Sequence, residues 1–300
     1  MRAGKMASIL SGLAMAGGLG ASGALAQEVK GIPHDGGVGF QQAATELAHD
    51  LHWMDGFLLT IITVIVIFVT ALLIYVVFRF GEKSNPKPAT FTHNAVVEVV
   101  WTVVPILILV AVAIPSLQLL AKQVTIPEAD LTIKATGNQW YWSYEYPDPE
   151  GEQDFAFDAM MVGGGYKDFD TAMENAAEEM NAHGVTRETW LLQTNNYVVV
   201  PVGQVVRMQV TASDVIHSWA MPSFGVKMDG IPGRLNETWF QVDEPGIYYG
   251  QCSELCGKDH AYMPIAVRAV SEAEYAEWLE GAKEQFAGIS SAPISVALAE

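Results

Sequence analysis

One stretch of the chain concentrates its metal-binding chemistry. Gln251-Cys252-Ser253-Glu254-Leu255-Cys256-Gly257-Lys258-Asp259-His260-Ala261-Tyr262-Met263 gathers both cysteines of the sequence, a histidine and a methionine between two runs that read as strands. His217 stands apart, in Val215-Ile216-His217-Ser218-Trp219. Soft sulfur donors with imidazole select copper or zinc, and a thioether moves the choice towards copper. A blue-copper site needs one cysteine, two histidines and a weak axial methionine. The second cysteine here supplies an extra bridging thiolate, which suits two copper ions sharing their ligands. Three plainer readings compete. A disulfide between Cys252 and Cys256 would be awkward within one tight loop and would leave His260 and Met263 without a role. A structural zinc site would use both cysteines and both histidines but not Met263. His217 alone reads equally as a packed core histidine.

Such a loop needs a rigid frame, and the sequence from Leu131 onward has the pattern of one. Short alternating runs at 131–136, 140–146, 197–200, 205–211, 238–242, 247–250 and 265–270 read as strands, separated by Gly, Pro, Asn and Asp. Strands at this spacing predict an all-β sandwich or barrel. An acidic segment at 163–184 interrupts them as a surface insertion, helical over 171–180. Ser271 and Glu274 have the spacing of a capping box and predict a helix to about Phe286. The tail at 288–300 is small and polar, and is expected to be disordered.

The first half of the chain is of another kind. Phe57 to Phe78 is an uncharged apolar run, and so is the run from Val99 to Leu120, which holds Pro105 and Pro115. A hydrocarbon core about 30 Å thick needs roughly 20 helical residues, so each run is long enough to cross it. Trp53, Tyr75 and Trp101 lie near the run ends, where amphipathic aromatics favour the interface. Between the runs, Arg79, Lys83 and Lys87 face only one acid, Glu82, which predicts a cytoplasmic loop. Residues 1–26 have a basic start, a short apolar stretch and Ala24-Leu25-Ala26, the pattern of an export signal cleaved before Gln27. Both signals place the β-rich part outside the cytoplasm. The expected divisions are thus a signal at 1–26, a periplasmic segment at 27–50, a two-helix transmembrane hairpin at 51–122, a β domain at 123–270 and a helix at 271–287.

Charge narrows the partners. The chain carries 34 acids against 16 bases, a net charge of −18. That balance excludes nucleic acid, whose binding needs Lys/Arg clusters, and favours a basic partner.

The loop resembles the dinuclear copper motif of cytochrome c oxidase subunit II. The resemblance extends to Phe91-Thr92-His93-Asn94, Trp101-Thr102-Val103-Val104-Pro105, Gln139-Trp140-Tyr141-Trp142-Ser143-Tyr144-Glu145-Tyr146, Asp214-Val215-Ile216-His217-Ser218-Trp219 and Pro232-Gly233-Arg234, in the same order and in the form typical of proteobacteria. It implies a membrane α-helical hairpin of two transmembrane helices plus an all-β cupredoxin-like barrel. It implies that Cys252 and Cys256 bridge two copper ions, that His217 and His260 each bind one, that Met263 is a weak ligand and that the Glu254 carbonyl is the last. It further implies that the Glu254 side chain faces a magnesium or manganese ion shared with subunit I, and that haem is held only by that partner. Trp140 becomes the point where electrons from cytochrome c come in, and Glu145, Asp158 and Asp214 face its lysines, with Asp148 and Glu150 in support. Glu98, at the start of the second helix, becomes the mouth of a proton path; its plainer reading is a solvated interfacial acid. The implied setting is the bacterial inner membrane, among lipid and subunits I and III, with the β domain in the periplasm.

Overall fold

The computed structural model describes residues 28–147 and 154–286. The export signal, the tail at 288–300, Asp148 and Glu150 lie outside the described residues. Helix α1 (Glu46–Arg79) and helix α2 (Ala95–Val124) are each long and apolar enough to cross a membrane. Their side chains are exposed along nearly the whole length, as expected of helices whose solvent is lipid. Both helices outrun the apolar stretches that predict them because each has a polar cap. The Thr45 hydroxyl accepts from the Ala48 amide, so α1 begins ahead of the expected start at 51. The Asn94 side chain accepts from the amides of Val96 and Val97 to start α2.

The rest is a β fold of two sheets and a ribbon. The strands are β1 (Val29–Gly31), β2 (Leu131–Asn138), β3 (Tyr141–Tyr146), β4 (Phe155–Ala159), β5 (Val198–Pro201), β6 (Val206–Ala212), β7 (His217–Met221), β8 (Val226–Gly230), β9 (Asn236–Phe240), β10 (Gly246–Gln251) and β11 (Pro264–Val270). One sheet runs β4-β3-β2-β6-β9, the other β1-β10-β11-β5, and β7 pairs with β8. Inward residues alternate with outward ones along β2 and β3, so Ile133, Ala135, Trp142, Tyr144 and Tyr146 are buried. They meet Trp219, Phe224, Phe240, Tyr248 and Val267 in one core.

The seven expected strands are present, with shifted ends. The strand expected from Trp140 begins at Tyr141, and the one expected at 238–242 lies at Asn236–Phe240. Strands β1, β4, β7 and β8 escaped the sequence reading. Helix α3 (Phe169–Ala182) fills the insertion, where Val162, Ala172, Met180 and Val185 form a separate small core. Helix α4 (Glu272–Gln285) opens with the expected capping box. Its Trp278 packs 5.3 Å from the ring of Tyr146, closing that end of the barrel.

Hairpin and barrel are joined at two places. At the head of α1, the Thr45 hydroxyl donates to the Phe224 carbonyl at 2.8 Å and the Ala44 amide to the Ser223 carbonyl at 2.8 Å. At the foot of α2, Trp239 Nε1 donates to the Lys122 carbonyl at 3.1 Å, and the Lys122 ammonium lies 2.6 Å from both Glu46 and Asp50 of α1.

Candidate metal centre

Antiparallel pairing of β10 with β11 fixes both ends of the chemical loop, since Gln251 is registered against Pro264. Cys252 therefore leaves the sheet where Met263 enters it. A turn of 3-10 helix at His260–Tyr262 carries His260 back to the thiols. His217 arrives from elsewhere, as the first residue of β7. The Ser253 amide donates to the Ser218 carbonyl at 3.0 Å, binding the loop to that strand.

The donors converge on the two sulfurs. Cys252 Sγ and Cys256 Sγ are 3.9 Å apart, and both thiols are free; a covalent bridge would hold them at about 2.05 Å. His217 Nδ1 is 3.9 Å from Cys252 Sγ, and the Glu254 carbonyl is 3.4 Å from the same sulfur. His260 Nδ1 and Met263 Sδ each lie 3.5 Å from Cys256 Sγ. His217, Cys252, Cys256 and Met263 are buried, and His260 is half-buried. This donor set fits copper. A single tetrahedral zinc would be complete with two thiolates and two imidazoles. It would leave a buried thioether and a main-chain oxygen facing the thiols with nothing to bind.

Charge is arranged around the pair. Burial opposes ionisation of Cys252, but hydrogen bonding with His217 and the loop outweighs it and pulls its thiol down. Burial, then the charge on Cys252, pushes the Cys256 thiol up. Burial likewise opposes a charged His217, yet its bonds to Cys252 and Asp214 hold it above the ordinary imidazole range. Asp214 Oδ1 lies 2.8 Å from His217 Nε2, so the nitrogen turned to Cys252 is Nδ1. A carboxylate on the outer nitrogen is the usual way a metal-binding imidazole is oriented.

Trp140 sits in the turn between β2 and β3, half-buried, beside this loop. Its Nε1 donates to the Cys256 carbonyl at 3.3 Å, and Gln139 Nε2 donates to the same oxygen at 2.7 Å. Gly257 makes the approach feasible: its φ is +133°, and a Cβ there would stand 2.8 Å from the indole. The Lys258 ammonium lies over the same ring, 5.5 Å from its centre.

The candidate docking acids differ in freedom. Asp158 is exposed and accepts from the Ser143 hydroxyl at 2.6 Å. Glu145 is paired with Lys134 at 2.8 Å. Asp214 is exposed on one side but also accepts the Gln139 and Val215 amides, at 2.7 and 2.6 Å. Its hold on His217 was missed in the sequence, although a carboxylate three residues before a candidate ligand is a readable signal. The Glu254 side chain is exposed. Glu98 is remote from all of these and accepts the Asn94 amide at 3.2 Å, which adds to the cap of α2.

Comparison with known proteins follows this division of the chain. Residues 131–270 match the family described as cytochrome C oxidase subunit II, periplasmic domain. Residues 33–119 match cytochrome C oxidase subunit II, transmembrane domain. The cytochrome c oxidase subunit 2 of Cereibacter sphaeroides is 51% identical over 273 residues, covering 89% of each chain. That of Zea mays is 43% identical over 248 residues, covering 81% of this chain and 88% of its own. The crystal structure of the periplasmic domain of subunit II from Bradyrhizobium japonicum shares 52% identity, covers 54% of this chain and all of its own, and has a TM-score of 0.44.

Proposed function

The chain belongs to the cytochrome c oxidase subunit II family, and from that premise we propose that its barrel accepts electrons from cytochrome c and hands them to haem in subunit I. The haem–copper oxidase to which this family contributes is an oxidoreductase. The observation that carries the reading is the buried pair of thiols 3.9 Å apart, ringed by two imidazoles, a thioether and a carbonyl. Copper bound there supplies a one-electron carrier. Cys252, Cys256, His217 and His260 would hold it, with Met263 and the Glu254 carbonyl completing the set. The surrounding residues do the holding. Asp214 orients His217, Gln139 and Trp140 anchor the Cys256 carbonyl, and the indole offers a surface contact one hydrogen bond from a ligand residue. Asp158 supplies the negative charge that a basic donor would meet, with Glu145 and Asp214 contributing less freely. The Glu254 side chain is assigned to a magnesium or manganese ion at the subunit I boundary, and Glu98 to the mouth of a proton path. Subunit III and lipid cover what remains of the helices.

Metal loading tests this directly. The full chain is expected to take up two coppers and to show the paramagnetic resonance signal of one unpaired electron shared between them. Uptake is expected to release protons, because the raised Cys256 thiol is protonated at neutral pH and must ionise to bridge. The sign follows: apparent affinity rises with pH. Titration into weakly buffered solution containing an indicator, between about pH 6 and pH 8, would measure it. One zinc per chain with no copper, or uptake without proton release, would overturn the assignment.

Topology is tested separately. Reporters fused in the loop between Arg79 and Lys87 are expected to be active only in the cytoplasm, and those fused beyond Leu131 only outside it. Cytoplasmic activity beyond Leu131 would remove cytochrome c as the donor.

A further inference from the structure

His217 reaches Cys252 from the floor of the barrel, and that floor has one missing side chain. Gly137 lies on β2, opposite Trp142 of β3 and beside Ala212 of β6. A Cβ built on Gly137 would stand 2.7 Å from both Cβ and Cγ of His217 and 2.8 Å from Cδ2. Carbon atoms do not approach that closely, so the imidazole occupies the space that any other residue would fill. The backbone gives no other reason for glycine here, because Gly137 is not among the residues with positive φ. A glycine inside a strand weakens it and commonly marks a close approach.

The second wall is Trp142. It is fully buried, and its ring meets that of His217 edge-on, with centroids 6.0 Å apart and planes at 64°. Its Nε1 is buried without a hydrogen-bond partner among the described residues. A buried indole normally finds an acceptor. This one is seated by shape, at a cost that its contact with the imidazole helps to explain. Asp214 holds the outer nitrogen of the same ring.

We propose that Gly137 and Trp142 are positioning residues for the metal centre, forming a slot that fixes the rotation of the His217 imidazole and so aims Nδ1 at Cys252. The inference rests on His217 being a metal ligand. Both residues meet the ring of His217. Their effect is on the angle and strength of one ligand.

The test uses the full chain in the assembled oxidase, with copper counted and paramagnetic resonance and optical spectra recorded at full loading. Gly137→Ala is expected to displace the ring. Copper affinity should fall roughly 10–100-fold, the range for losing an outer support of a metal ligand, and the hyperfine pattern should change once loading is forced. Trp142→Phe, which keeps most of the volume, should change the same pattern more mildly. Gly31→Ala serves as the control. Its Cβ would crowd Ser223 and Tyr248 at 2.7 Å, away from the centre, so it should lower stability and leave the spectrum unchanged. An unaltered spectrum in Gly137→Ala at two coppers per chain would overturn the slot. Should that variant fail to accumulate, an unaltered spectrum in Trp142→Phe overturns it instead. Absence of a dicopper spectrum in the unsubstituted chain would be a different failure, that of the ligand assignment itself.

Discussion

Cys256→Ser is expected to abolish two-copper binding while leaving the barrel folded. Cys256 is the hub of the donor cluster: its sulfur faces Cys252, His260 and Met263 at 3.9, 3.5 and 3.5 Å. A serine hydroxyl is smaller, harder and does not ionise near neutral pH, so it replaces neither the bridge nor the soft-ligand preference that favours copper. The loss should exceed the roughly 100-fold that an outer-shell partner is worth. Metal analysis should give one copper or none, and the shared-electron spectrum should vanish. The contacts of the Cys256 sulfur stay within the donor cluster, so thermal unfolding of the metal-free chain should shift little. Retention of both coppers and of the spectrum in this variant would refute the bridging role.

Trp140→Phe should have the second-largest effect, and on a different step. The change removes the indole N–H that donates to the Cys256 carbonyl, while Gln139 keeps its own bond to that oxygen. The loop therefore stays in place and the surface charge is untouched. Electron transfer within a bound complex with reduced cytochrome c should drop about 10–100-fold, the usual weight of a contact to a ligand residue. Association should barely change. Charge variants should show the converse. Steering between exposed charges fades beyond about 8 Å at physiological ionic strength, so added salt should slow association of a basic donor. Asp158→Asn should flatten that dependence and spare the transfer step. Asp158 is the cleaner probe, because Asp214→Asn would also loosen His217 and Glu145 is already neutralised by Lys134. Stopped-flow reduction over a salt series separates the two steps. Unchanged transfer in Trp140→Phe would move the point where electrons come in to another part of the surface.

How much of this was legible in the sequence depends on what kind of signal each part leaves. The thiols, His260 and Met263 sit in one loop, and membrane spans announce themselves by length, so both were readable from residue types and spacing. His217 was readable as a candidate ligand only through its flanking residues, since a lone histidine is ambiguous. The strands that escaped lack the alternation that betrays a half-buried strand. All five residues of β7 are buried, four of five are buried in β4, and β8 mixes Lys227 and Asp229 into its short run. Trp140 falls outside β3 because the chain turns there to bring the indole to the cysteine loop, a tertiary demand that no local pattern encodes. Gly137 is the clearest case. In the sequence it is a weak point in a strand, and only the fold shows what occupies the place of its side chain.

The two joints between hairpin and barrel have a further effect. A barrel tied to the membrane at one point could swivel about it. This one is bound at Thr45, where α1 begins, and again at Lys122, where α2 ends, and the first joint continues through Phe224 into the strand that carries His217. The second attachment leaves rotation only about the line that joins the two. The side of the bilayer on which the candidate metal centre lies is then inherited from the way the hairpin threads it. Under the proposed function, insertion sets the polarity of the circuit, as the mounting of a diode does, and a chain threaded backwards would present an intact donor cluster to the wrong pool of reductant.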